Sequence, residues 1–274
     1  MTEHIAPRTV IEAFLPSVGS IDLGTIYNAA NAVGIVDQTL RLAIRRLSAS
    51  GEVEQHGRGR AGSLMLTSLG HARQARDRIG LALAFGQDDG SIRWDGTWHL
   101  VAISAPERDR AIRDGLRREL LAAGAATIST GLFASVHDLH DMFDSALSSH
   151  LVTATATALN IRGAVKPAEI AELLWPSVPI VTAYDAITQA LDRDDASQPS
   201  TVRRLWLAHA LERATRYDPL IPPEIRSVPW LPTTLRSAWT KRWRAISDDN
   251  GTRPYAQWLL CGVLSVSQYC SSWH

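Results

Sequence analysis

Between residues 38 and 60 the chain concentrates side chains suited to planar, paired hydrogen bonding. Gln38, Thr39, Arg41, Arg45 and Arg46 fall in one short stretch, and Arg58 and Arg60 follow in Gly57-Arg58-Gly59-Arg60-Ala61-Gly62. A glutamine amide matches the donor and acceptor on an adenine edge, and a guanidinium matches a guanine edge or two phosphate oxygens. From residue 38 to 80 there are eight arginines (41, 45, 46, 58, 60, 73, 76 and 78) against Glu52, Glu54 and Asp77, in a chain of formal net charge zero. A basic excess confined to one region of a neutral protein is the electrostatic footprint of a polyanionic partner. The 28 basic residues are nearly all arginine, Lys166 and Lys241 being the exceptions. A GC-rich genome alone would produce the same bias.

For these groups to act together, a helix and a loop must present them side by side. Arg8 to Phe14 has a short helical pattern that Pro16 stops. Ile21 to Leu23 reads as a short strand and Gly24 to Val33 as a helix ended by Gly34. Asp37 is placed to cap a second helix, Gln38 to Ser50, whose Leu40, Ala43, Ile44 and Leu47 repeat at helical spacing and turn the polar residues outward. Gly51 ends it. Glu52–Gln55 and Ser63–Leu66 are expected as two strands around the glycine-rich tip, and a longer helix runs from Thr67 or Ser68 to about Phe85. Helix, turn, helix, hairpin is the order of a winged helix-turn-helix, with the second helix sized for a major groove and the tip able to approach a phosphate backbone. On that reading Gln38, Thr39, Arg41 and Arg45 read bases, while Arg46, Arg58 and Arg60 hold phosphates or make the wing contact.

The remaining chain divides in two. Asp88-Asp89-Gly90-Ser91 reads as a linker or turn. Trp98–Ser104 is a strand, Pro106–Leu121 a helix stopped by Gly124, Gly131–Val136 a strand, Asp138–Ala146 a helix and Leu151–Asn160 a closing strand. That alternation is a ferredoxin-like layout, and such small sheets often pair as dimers. Beyond it, Pro167–Leu174, Val202–Tyr217 and Thr233–Ile246 read as helices. The second carries Leu205, Leu207, Ala208, Leu211 and Ala214 as its apolar set and Arg203, Arg204, Glu212 and Arg213 as its polar one. Pro222-Pro223 and Pro229 to Pro232 are rigid turns.

Motifs along nearly the whole chain resemble the PaaX family, repressors of phenylacetic acid degradation genes. Arg41-Leu42-Ala43-Ile44-Arg45-Arg46-Leu47, Gly51, the arginine-glycine tip, Leu66-Thr67 and Gly70 look like the family's first stretch. Trp94-Asp95-Gly96-Thr97-Trp98, Pro106-Glu107-Arg108, Arg113, Leu116-Arg117 and Gly131-Leu132-Phe133-Ala134-Ser135 resemble its middle. Tyr217-Asp218-Pro219-Leu220-Ile221-Pro222-Pro223-Glu224, with Trp230, resembles its end. The resemblance implies a DNA-binding head, a dimerising middle domain similar to the Cas2 fold, and a C-terminal ligand-sensing region. It further implies release from DNA by an aryl-CoA thioester such as phenylacetyl-CoA. Arg41-Leu42-Ala43-Ile44-Arg45 replaces the family's commoner Arg-Thr-Ala-Leu-Ser, which points to a different operator. Gly62-Ser63-Leu64-Met65 replaces a more aromatic strand, Phe133 a tryptophan and Val136 a proline.

The expected fold class is α+β. Residues 1–86 form the winged helix-turn-helix, 87–165 the ferredoxin-like (Cas2-like) dimerisation domain and 166–274 a mostly helical, ligand-sensing domain. The expected partners are double-stranded DNA with a palindromic operator, a second copy of the chain in a homodimer, and an acyl-CoA effector. A metal-dependent nuclease of the Cas2-like type is the competing reading. It is disfavoured because the first strand of the central domain ends Ile103-Ser104-Ala105, with no carboxylate to hold a metal. No nucleophile elbow, P-loop or H-E-x-x-H motif occurs, so no catalytic residue, cofactor or metal ligand is assigned. His137, His140 and Asp141, with Asp144 and His150 near in sequence, form the one cluster that invites a metal, and a solvated helix start accounts for it as well. Cys261 and Cys270 match no redox or zinc spacing. The tryptophans Trp94, Trp98, Trp206, Trp239 and Trp243 read as core, as they would in an interaction module without a ligand. Arg203, Arg204 and Trp206 are plausible lining for an aryl or CoA pocket that the sequence alone does not place. Glu3, His4 and Arg8 argue against a signal peptide, and the apolar run Leu259–Val266 is too short to cross a membrane, so a cytoplasmic protein with a packed C-terminal element is expected.

Overall fold

A computed structural model describes residues 4–139, 148–226, 229–247 and 254. His140, Asp141 and Asp144, most of the helix expected to Ala146, both cysteines and most of the terminal element lie outside the described residues. In chain order the elements are α1 (Pro7–Phe14), β1 (Ser20–Asp22), α2 (Leu23–Ala32), α3 (Asp37–Ala49), β2 (Val53–His56), β3 (Ser63–Leu66), α4 (Ser68–Asp89), β4 (Trp98–Ile103) and α5 (Arg110–Ala122). They continue as β5 (Ala126–Ser129), β6 (Leu132–Ser135), β7 (Leu151–Ala156), α6 (Pro167–Leu174), α7 (Ser177–Ala183), α8 (Asp185–Arg193), α9 (Ser200–Thr215) and α10 (Leu231–Ala245). The fold is mixed α+β. No described helix is long and apolar enough to cross a membrane.

Two compact units result. The first joins Met1–Gly86 to Tyr184–Arg213 and to the chain from Pro232; the second joins Gln87–Ala183 to Ala214–Leu231. Residues beyond 166 are thus shared between them. In the first unit β1, β3 and β2 form an antiparallel sheet in that order, with Leu64 of β3 opposite both Ile21 and Gln55. Helices α1, α2 and α3 cover it. Val10, Ile11, Ile26, Ala30, Leu40, Ile44, Leu47, Leu64 and Leu66 make one core. That core also contains Leu205 of α9, wholly buried. Burying one leucine contributes about 2 kcal/mol, so α9 is part of what holds the first three helices together. Around α9 the helical layer closes through polar contacts. Trp239 Nε1 donates to the Leu207 carbonyl at 2.7 Å, Arg236 to the Tyr184 hydroxyl, and Arg204 Nη2 to the Ile246 carbonyl at 2.8 Å. Arg204, expected on the polar face, is therefore buried, with its guanidinium also over the Trp243 ring. Such a carbonyl bond is what allows a charged group to leave water.

Some boundaries differ from expectation. Asp37 does not cap α3: Val36 is the capping residue, Asp37 is the first helical one, and its carboxylate is occupied elsewhere. Helix α4 runs through Asp88 to Asp89, so the turn comes only at Gly90, which has φ +78°. Pro106 opens a short 3₁₀ turn, and α5 proper begins at Arg110. Ala126–Ser129 adds a strand that the sequence did not single out, and α7 and α8 are further helices.

The second unit carries an antiparallel sheet in the order β5-β6-β4-β7, with α5 crossing between β4 and β5. This is the strand order of a split β-α-β unit. Val101 of β4, Phe133 of β6 and Leu120 of α5 form its core with Ala125 and Leu139. The Asp218–Leu220 turn is tied in firmly. The Leu220 amide donates to Asp218 Oδ1 at 2.9 Å, and the Leu220 carbonyl accepts from Gln87 Nε2 at 2.7 Å and from His137 Nε2 at 2.9 Å. His137 is thus a packing group, and burial holds it below the ordinary histidine range. Gly124 ends α5 at φ +86°, where a Cβ would lie 3.2 Å from Pro219 Cα. Gly124→Ala combines left-handed strain with overpacking. It should lower unfolding stability by about 1–3 kcal/mol in urea titrations.

Candidate nucleic-acid interface

The inward residues of α3 fix which residues it shows. With Leu40, Ile44 and Leu47 buried, Gln38, Thr39, Arg41, Arg45 and Arg46 are all exposed. Gln38, Arg41 and Arg45 follow one another at spacings of three and four, which places them along one stripe. Arg41 Nη1 donates to Gln38 Oε1 at 3.0 Å, so the amide and guanidinium are already aligned side by side. Arg45 and Arg46 form no ion pair among the described residues. The α2–α3 connection is four residues long, turning at Gly34 with φ +82°.

Beside this stripe lies the β2–β3 tip. Gly57 and Gly59 both have positive φ, at +75° and +60°, and a 3₁₀ turn, Gly59–Ala61, fills the loop. The two arginines of the tip have different fates. Arg58 is exposed and makes no ion pair among the described residues. Arg60 is bound in place. Its Nη1 donates to Asn28 Oδ1 at 2.7 Å, its Nη2 to Asn31 Oδ1 at 2.8 Å and to Asp37 Oδ1 at 3.2 Å, and its guanidinium sits 5.2 Å from the Tyr27 ring centre. Asn31 completes the set by donating to Asp37 Oδ1 at 3.0 Å and to the Ile35 carbonyl at 2.9 Å. The hydrogen bond from Asn31, with the Arg60 charge, holds Asp37 below the usual carboxylate range. Sequence reading missed this network, although Asn28 and Asn31 stand three apart on α2 as two neighbouring acceptors.

Residues 91–173 match the profile of the PaaX protein central Cas2-like domain. No curated protein matches the chain. A solved structure, the uncharacterized protein Rv0674 from Mycobacterium tuberculosis, is similar over 88% of this chain and 96% of that one, with 22% identity and a TM-score of 0.53. At that identity the likeness concerns the fold alone. The PaaX match coincides with the β5-β6-β4-β7 sheet and α6, whereas the arginine stripe and the tip lie outside the matched residues. The PaaX-like motif at 217–224 is the turn whose Leu220 carbonyl collects two hydrogen bonds. Among the described residues, no group of three His, Cys, Asp or Glu is arranged to hold a metal ion.

Charge in the first unit is sorted between two places. Arg73, one of the eight arginines, is engaged by carboxylates, its Nη1 donating to Glu12 Oε1 at 2.7 Å and to Glu52 Oε2 at 2.8 Å. Arg8 reaches the same two carboxylates. The basic excess at the stripe and tip is therefore smaller than the sequence count, resting mainly on Arg41, Arg45, Arg46 and Arg58. At Glu12 the arginines favour the carboxylate and burial favours the acid; burial prevails and pushes the carboxyl up to about 7.

Two outcomes follow from these contacts. Arg60→Ala removes the side-chain ties of the tip to α2 and α3 and leaves the Leu23 amide on the Gly62 carbonyl, so amide exchange across residues 57–61 should accelerate at least about tenfold while exchange in the helical core stays unchanged. Glu12 holds its proton more tightly folded than unfolded, so its contribution to stability is fully present below about 4.5 and is lost as pH rises through about 7. Unfolding titrations at pH 5 and pH 8 should show a larger loss on going to pH 8 in the native chain than in Glu12→Gln.

Proposed function

We propose that the protein is a DNA-binding transcriptional regulator of the PaaX type, and that α1–α3 with the β1–β3 sheet is a winged helix-turn-helix. The observation that carries this reading is the exposed stripe Gln38–Arg41–Arg45 on a short helix, flanked by a glycine-rich tip bearing Arg58, which makes no ion pair among the described residues. Helix α3 enters the major groove. Gln38, Thr39, Arg41 and Arg45 meet base edges there, and the prealigned Gln38–Arg41 pair spans neighbouring bases. Arg46 and Arg58 contact phosphates, and Arg60 sets the height of the wing from which Arg58 reaches. The PaaX central domain pairs two chains into a homodimer, and two heads related by a two-fold axis read a palindromic double-stranded operator. The protein acts in the cytoplasm as a repressor and leaves the operator when an acyl-CoA, with phenylacetyl-CoA as the first candidate, shifts the dimer away from the half-site spacing.

A gel-shift titration on the intergenic DNA upstream of the protein's own gene, across a salt series and with phenylacetyl-CoA added, tests this. The expected result is specific, salt-sensitive binding that the thioester relieves. Specific binding indifferent to the thioester would keep the regulator and discard that effector. Binding to no genomic fragment above random DNA would overturn the reading. Within the same assay Arg45→Ala should cost about 1–3 kcal/mol on the operator and far less on random DNA. Arg58→Ala should weaken both evenly and reduce the salt slope by about one. Equal losses on the two DNAs for Arg45→Ala would remove it from base reading.

A further inference from the structure

On the exposed side of α3 one residue differs in kind from its neighbours. Leu42 is 42% exposed and does not belong to the apolar cluster that holds Leu40, Ile44 and Leu47. On a helix the surface neighbours of a residue stand three and four positions away. For Leu42 these are Gln38, Thr39, Arg45 and Arg46, all exposed and all polar. Leu42 is therefore an apolar island at the centre of the polar stripe. Leu40, Ile44 and Leu47 are buried on the opposite face of α3, so rotating the helix to bury Leu42 would expose them.

A single exposed leucine is common on protein surfaces and by itself points to no ligand. The position of this one is what matters, because each of its four helix neighbours has a side chain suited to a base edge or a phosphate. In a major groove the base edges present hydrogen-bonding groups, with one apolar exception, the C5-methyl of thymine. Gln38 and Arg45 can pair with polar edges and Leu42 cannot. Set against a guanine edge or a cytosine amino group, Leu42 would remove water from groups that it leaves unpaired, which costs affinity. Set against a thymine methyl, it takes apolar surface out of water on both partners.

Helix geometry gives the order of contacts. Leu42 lies about 6 Å along the axis from Gln38 and about 4.5 Å from Arg45. Successive bases of a strand are about 3.4 Å apart. The base that Leu42 meets thus falls between those that Gln38 and Arg45 meet.

We propose that Leu42 is a specificity-determining residue that packs on the C5-methyl of a thymine lying between the bases met by Gln38 and Arg45. This rests on the reading of α3 as the helix that enters the major groove.

The test uses the full chain. Bound duplexes are selected from a random-sequence library, and each thymine of the selected duplex is replaced, one at a time, by deoxyuridine, which removes the methyl alone. Withdrawing one methyl group from an apolar contact corresponds to about a fourfold change in binding. In the native chain one such replacement per half-site should therefore weaken binding about fourfold. In Leu42→Ala the same replacement should have no effect, while Leu42→Met, which keeps an apolar side chain, should retain the sensitivity. Alanine is the best helix former, so Leu42→Ala keeps α3, and a thermal melt checks its folding. If no thymine replacement weakens the native chain, the assignment is overturned. A sensitive thymine whose loss is the same in Leu42→Ala overturns it as well, since another residue then meets the methyl. So does a Leu42→Ala chain that keeps the sensitivity and changes its mass in solution, which would place Leu42 in a protein contact. A library that yields no enriched duplex overturns the DNA reading itself, and the assignment with it.

Discussion

One guanidinium ties the tip between β2 and β3 to two helices. Arg60 meets Asn28, Asn31 and Asp37, and so ties a glycine-rich loop to the end of α2 and the start of α3. Glycines at positive φ give a loop many conformations, and most of them would swing Arg58 away from the exposed stripe of α3. By occupying three acceptors that belong to two different helices, Arg60 selects the few in which tip and stripe share a side. The same contact explains why Asp37 serves no helix cap, since its oxygens are directed at Arg60 and Asn31. An arginine that looks like a phosphate ligand in the sequence thus positions another arginine.

The core under that surface depends on a distant helix. Helix α9 puts Leu205 among the residues that seat α3, and its neighbour Trp206 belongs at once to that core and to a recess beside α8. A single helix therefore has one face in the structural core and another on a charged, partly aromatic recess. Leu207, Ala208, Ala210 and Leu211 of the same helix are buried as well. Displacement of such a helix is felt wherever it packs, because close-packed interiors transmit strain and do not absorb it.

What the sequence reveals and conceals follows from these two features. Helix α3 is legible because Leu40, Ala43, Ile44 and Leu47 repeat at helical spacing, and the hairpin because glycines punctuate two short polar-apolar alternations. The central sheet is legible from its strand-helix order, with β5 hidden because Ala126–Ser129 is short and weakly apolar. Periodicity says that a face is buried and not what buries it, so the return of α9 to the first core cannot be read from Leu205. The arginine count shows a basic region without showing that Arg73 faces Glu12 and Glu52, or that Arg60 is engaged. The recess beside α8 and α9 is invisible for a similar reason: Ala190 and Ala210 come to line one space only when the two helices pack.

The entry of Leu205 into a core otherwise built from the first seventy residues sets an order for biosynthesis. The ribosome releases α1, α2, α3 and the hairpin well before it reaches α9. At ordinary elongation rates the interval is on the order of ten seconds. During it, the slot that Leu205 fills stands open to water beside other apolar side chains, in a chain whose central sheet has meanwhile been made. The surface that presents the arginine stripe is thus completed only after the central sheet has been synthesised, and a chain stalled short of residue 205 carries a basic head with an unfilled core.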